Sequence, residues 1–131
     1  MSENVQIVQN GYNNFLTGNI EGVLNTFADD FTFTVPGAPD IPYAGVKRTR
    51  EELAGFFRDL GQMVTFSAFE PREYIAAGDR VVAIGRYSGK VNGTDHPFDN
   101  DWAMVWRIRD GKVVEFTEYS DVSDIRKGFV K

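Results

Sequence analysis

Hydrophobic residues recur at helical spacing through the first part of the chain and at alternate positions through the last, a pattern of helices followed by sheet. Val5, Ile7, Val8, Tyr12, Phe15 and Leu16 mark one stripe of a helix that begins at Ser2 and closes at Thr17-Gly18-Asn19. Gly18 suits the left-handed position after a helix. Asn19 then serves as N-cap of a short helix over 20–28, with Glu21 in its first turn, and Asp29-Asp30 ends it. Phe31 to Val35 reads as a strand broken by Pro36, followed by a loop over 37–45 that carries Tyr43. Thr49 with Glu52 three residues on is a capping-box pattern. The helix behind it buries Leu53, Phe56, Phe57 and Leu60 and stops at Gly61.

Strands follow at about 63–76, 80–91, 98–109 and 112–120, and a last half-helix at 125–130. Gly78-Asp79, the segment 92–97 and Asp110-Gly111 are the turns between them, the last a strong hairpin signal. Along 98–109, Trp102, Met104, Trp106 and Ile108 share one face, and Asp101, Ala103, Val105, Arg107 and Arg109 the other. Along 112–120, Val114, Phe116, Glu118 and Ser120 share a face, and along 80–91 Val82, Ile84 and Arg86 form a candidate inward set. Helices and then a meander of long antiparallel strands predict an α+β fold, a curved sheet wrapped around N-terminal helices as a cone. The mouth of such a cone admits a small apolar molecule.

Composition narrows the functions. The 131 residues make one domain spanning 1–131, with no repeat, linker or low-complexity segment. Eleven Phe, five Tyr and two Trp favour a thick core or an apolar cavity. A net charge of −5 argues against nucleic-acid partners and against anionic membrane surfaces, since either needs a basic face. Cysteine is absent, which excludes disulfides, thiolate catalysis and cysteine-based metal sites. The only histidine, His96, sits beside Pro97 in a turn and supports no metal cluster. Gly78, Gly89 and Gly93 mark turns and no phosphate cradle. The N-terminus lacks a basic region followed by an apolar core, so the expected location is cytoplasmic.

One residue then stands out. An inward Glu118 places a carboxyl group beside Phe116, Trp106 and Met104, and burial of a lone carboxylate is costly and raises its pKa. Such a group acts as a general acid or base, or is a structural Glu held by Arg86 or by a tyrosine. Tyr12 is a second catalytic candidate. Tyr12 and Tyr43 would donate to a ligand's carbonyl or developing oxyanion, or simply cover the core. Asn100, on the face of Trp102, is a polar contact near the mouth, and Arg86 another. Phe33, Phe56, Phe57, Trp102, Met104, Trp106 and Phe116 are the expected walls. Side chains alone move protons, so no cofactor is required. Asp121 is read as a cap on the final helix.

Two stretches carry a family resemblance. TGNIEGVLNTFADDFTF, residues 17–33, resembles the segment joining the first helices to the first strand in the nuclear transport factor 2-like superfamily. WAMVWRIRDGKVVEFTEYSD, residues 102–121, resembles the closing hairpin of its SnoaL-like branch, the ketosteroid isomerase-related one. The resemblance implies the cone fold, a homodimer, and proton-transfer chemistry of isomerase, cyclase, dehydratase or hydrolase type, or ligand binding without catalysis. It also implies departures. The isomerases' general base falls on Val35, before Pro36, and their helix-one tyrosine on Gly11, one residue from Tyr12. The epoxide hydrolases' Asp-Arg-Asp trio falls on Glu118, Arg80 and Val82, so its middle carboxylate is missing. Met104 stands where many SnoaL-like relatives carry His. On the outer face, Ala103, Val105, Thr117 and Tyr119 are too apolar for full hydration, which fits a dimer through the sheet.

Overall fold

A computed structural model describes residues 3–130. Its first helix, α1 (Glu3–Leu16), buries Val5, Val8, Gly11 and Tyr12 along one stripe. The expected start at Ser2 lies outside the described residues, and Leu16, 51% exposed, falls off the stripe. Asn19 caps α2 (Ile20–Asn25), its side chain accepting the Gly22 N–H. This helix is shorter than expected because Phe27 already belongs to β1 (Phe27–Val35). There it packs against Phe31, Phe33 and Trp106, and full burial of such a ring, worth roughly 1.5–3 kcal/mol, outweighs another half-turn of helix. A three-residue edge strand, β2 (Gly45–Lys47), begins at the last residue of the expected loop and pairs with β1. The capping box is present. Thr49 Oγ1 accepts the Glu52 N–H at 3.1 Å and Glu52 Oε1 accepts the Thr49 N–H at 3.3 Å, opening α3 (Arg50–Met63).

Four long strands follow: β3 (Val64–Ala77), β4 (Arg80–Val91), β5 (His96–Arg109) and β6 (Lys112–Ser120), with α4 (Ser123–Lys127) after them. His96 and Pro97 thus begin a strand and do not lie in the turn, and α4 sits two residues earlier than the half-helix expected at 125–130. Asp121 does act at its start, accepting the Ser123 N–H at 3.0 Å. The sheet runs β2-β1-β6-β5-β4-β3, curved and unclosed around the N-terminal helices, with only β1 and β6 parallel.

Two register shifts in β3, between Phe66 and Ala68 and between Pro71 and Glu73, supply the bending that bulges impose. Gly85 on β4 faces this bend, where an added Cβ would lie 2.2 Å from the Glu70 carbonyl oxygen and 2.6 Å from the Trp102 ring. Only glycine lets the bent strand and the indole approach so closely.

Two face assignments change. On β4 the buried set is Val81, Ala83, Gly85 and Tyr87, so the candidate set of Val82, Ile84 and Arg86 lies on the outer face. On β6 a register shift against β5, between Arg107 and Ile108, buries Val113 in place of Val114, after which Phe116 and Glu118 face inward as expected. Among the described residues no helix is long and apolar enough to cross a membrane.

Candidate functional site

Inside the cone lies a cavity of about 80 Å³, several times what one water requires. Its walls come from every layer: Gly11, Tyr12 and Phe15 from α1, Phe33 and Val35 from β1, and Phe56, Phe57 and Leu60 from α3. Met104, Trp106 and Phe116 line the sheet side, and Val122 and Ile125 lie at the junction with α4. Rings pack on rings along these walls; Phe33 and Phe116 stack at 4.4 Å, and Trp106 stands edge-on to Phe116 at 4.8 Å. Among the described residues, Glu118 is the only carboxyl group on this lining.

Two donors steady Glu118. Tyr87 Oη donates to Oε2 at 2.9 Å and Ser120 Oγ donates to the same oxygen at 2.8 Å, while the two hydroxyls lie 3.2 Å apart. Oε1 has no hydrogen bond among the described residues. Burial raises the Glu118 pKa, and the hydrogen bonds from Ser120 and Tyr87 pull it back without cancelling the shift. With both donors on Oε2, the proton of the acid form belongs on Oε1.

The tyrosines around this group keep their protons. Burial, followed by the nearby Glu118 charge, raises Tyr43 and Tyr87, and burial lifts Tyr12 well above the ordinary phenol value. Tyr12 Oη accepts the Trp106 indole N–H at 3.0 Å and donates to Met104 Sδ at 3.1 Å. A thioether is a weak acceptor, so the Tyr12 proton is cheaply redirected. Tyr43 lines the cavity and its hydroxyl makes no hydrogen bond among the described residues.

The structure therefore gathers Glu118, Tyr12, Tyr43, Phe33, Phe56, Phe57, Met104, Trp106 and Phe116 around one space. Three other candidates lie elsewhere. Arg86 is on the outer face, paired with Asp99 at 2.7 Å and Glu70 at 3.6 Å, because residue 86 has the opposite parity to Tyr87; it does not hold Glu118. Trp102 is buried against Tyr12 and Phe69 but is not part of the cavity lining. Asn100 is buried on the inner face of β5, also off the lining.

Tyr87 is the residue that sequence reasoning missed, along with the part played by Ser120. The signal was parity on β4, but valine or isoleucine stands on both faces of that strand, so alternation alone did not choose. Among the described residues no cluster of three His, Asp or Glu side chains is arranged to hold a metal ion.

The family whose sequence pattern matches is the SnoaL-like domain, over residues 8–116. A nuclear transport factor 2-like protein from Burkholderia xenovorans LB400 is 33% identical, covering 98% of this chain and 96% of its own, with a TM-score of 0.88. A nuclear transport factor 2-like protein of unknown function from Burkholderia pseudomallei K96243 is 26% identical over the whole of both chains, also at TM-score 0.88. TerC, co-crystallised with polyporic acid, is 24% identical over 98% of each chain at TM-score 0.86, a likeness of fold. No curated protein matches.

Proposed function

This chain belongs to the SnoaL-like domain family, and on that footing we propose that it binds a small, largely apolar molecule bearing an oxygen function, with proton transfer at Glu118 as its chemistry. One observation carries the reading: a single carboxyl group, raised by burial, stands in the wall of an otherwise aromatic cavity with both steadying donors on one oxygen. In its acid form Glu118 gives a proton from Oε1 to a ligand oxygen; in its anionic form the same atom removes one from carbon or oxygen. Tyr43, and Tyr12 once its proton leaves Met104 Sδ, donate hydrogen bonds to the oxygen on which charge develops. Isomerisation, cyclisation, dehydration and hydration all fit this set, and none of them requires a cofactor.

Binding without turnover is the second reading, favoured by the engaged hydroxyl of Tyr12 and the double anchoring of Glu118. A thermal-shift screen of cyclic ketones and phenols, each paired with its hydrocarbon counterpart, tests the proposal. At least one oxygenated compound should raise the melting temperature of the wild type and lose most of that effect in Glu118→Gln, while hydrocarbons act on both alike. A screen in which no compound distinguishes the two proteins overturns the proposal. Consumption of the compound by wild type alone separates catalysis from binding.

The same reading extends to assembly. Val82, Ile84, Ala103 and Val105 form an apolar strip on the outer face of the central strands, half-buried in the single chain, with Tyr119 nearby at 59% exposure. We propose that two copies meet on this strip.

A further inference from the structure

Asn100 is the buried polar side chain that neither the cavity nor the Glu118 cluster accounts for. It is 9% exposed, on the inner face of β5, and its Nδ2 is enclosed without a hydrogen-bond partner among the described residues. Enclosed amide groups in folded chains are paired, with protein or with ordered water. Trp102 Nε1, at the next inward position of the strand, is likewise enclosed and unpaired, so two successive donors on this face lack an acceptor from the protein.

The neighbouring cluster has the opposite deficit. Asn100 lies opposite Tyr87 on β4, and Trp102 lies opposite Ser120 on β6, so the two unpaired donors stand at the strand positions that face the residues holding Glu118. Tyr87 and Ser120 carry one hydroxyl proton each and give both to Glu118 Oε2, so the two oxygens, 3.2 Å apart, have no proton between them and each keeps a lone pair without a donor. Either hydroxyl oxygen can therefore accept from a further donor.

We propose that Asn100 is a positioning residue acting through one bound water, which accepts from its Nδ2 and donates to the hydroxyl oxygen of Tyr87 or Ser120. That extra donor lets both hydroxyl protons stay on Glu118 Oε2 and strengthens them, since a hydroxyl that accepts a hydrogen bond donates more strongly. Asn100 therefore sets how firmly the Glu118 carboxylate is held without touching a ligand. The link belongs to the free protein, so its failure leaves the ligand reading standing, and a failed ligand screen leaves the link standing.

The groups facing Glu118 are Tyr12 from α1, Tyr43 from the loop after β1, and Tyr87 and Ser120 from the sheet. The tyrosines stay protonated while Glu118 titrates. Two measurements test the proposal. A high-resolution crystal structure of the ligand-free protein should show an ordered water within hydrogen-bond distance of Asn100 Nδ2 and of one of the two hydroxyls; no water there overturns it. The Glu118 side-chain carbon, followed by NMR across pH, should titrate higher in Asn100→Leu by about half a unit or more, a roughly threefold change in proton affinity. Asn100→Ser, which keeps a donor and leaves room for the water, should return most of that shift. If Asn100→Leu leaves the titration unmoved and only stabilises the protein, the amide was an isolated buried group and the proposal is wrong. Should Asn100→Leu not fold, the crystal structure and Asn100→Ser decide.

Discussion

Glu118 keeps its carboxyl group among rings, and the two hydroxyls that steady it do not cancel the influence of burial. A raised native pKa means that the folded protein holds a proton which the unfolded chain releases. The sign follows: stability is lost as pH rises from the ordinary carboxylate range through the native pKa, by at most about 1.4 kcal/mol per unit between the two values. Gln does not titrate. Melting curves should therefore show Glu118→Gln gaining on the wild type between pH 4 and pH 8, with the gap flat above the native pKa. A gap that is constant over the whole range would mean a solvated carboxylate. The inward direction of Glu118 was legible in the sequence because Phe116 and Trp106 fix its face, and a bulge at Val114 falls before it in the chain. Its tyrosine partner was not legible, because Tyr87 comes from two strands away.

At the scale of elements, helix starts were readable where side chains cap them, as Asn19 and Thr49 do, since that chemistry is local. Elements made by distant packing were not. Phe27 and Ala28 look helical until Trp106 is in place to receive Phe27, and β2 has three residues and one neighbour. The faces of β4 were obscured by apolar residues on both sides, one set for the core and one on the outer strip. Gly85 could have broken the tie, because a glycine in mid-strand marks a place where something comes close. Gly85→Ala should drive a methyl group into the Glu70 carbonyl and the Trp102 ring, lowering stability by at least about 2 kcal/mol in chemical denaturation. An unchanged midpoint would show that β3 relaxes freely at its bulges.

For the whole molecule, α+β class and cone shape followed from the order of patterns, and the apolar outer strip is the surface on which the proposed pairing rests. Under the proposed pairing, sedimentation at tens of micromolar should give a dimer, and Val105→Glu should give a monomer that retains its fold. A wild type that stays monomeric at high micromolar concentration would remove the pairing.

The parallel neighbours β1 and β6 impose an order in time. Residues 27–35 leave the ribosome well before their long partner, residues 112–120, which follows only after α3, β3, β4 and β5. Until then β1 has only the three-residue β2 beside it, and Phe33 waits for Phe116. Closure of so long a loop is slow relative to local hairpins, so the meander β3-β4-β5 has time to form first. The cavity thus closes only with β6, which carries Glu118, and with Val122 and Ile125 behind it, so a chain still under synthesis holds no enclosed space for a ligand to enter.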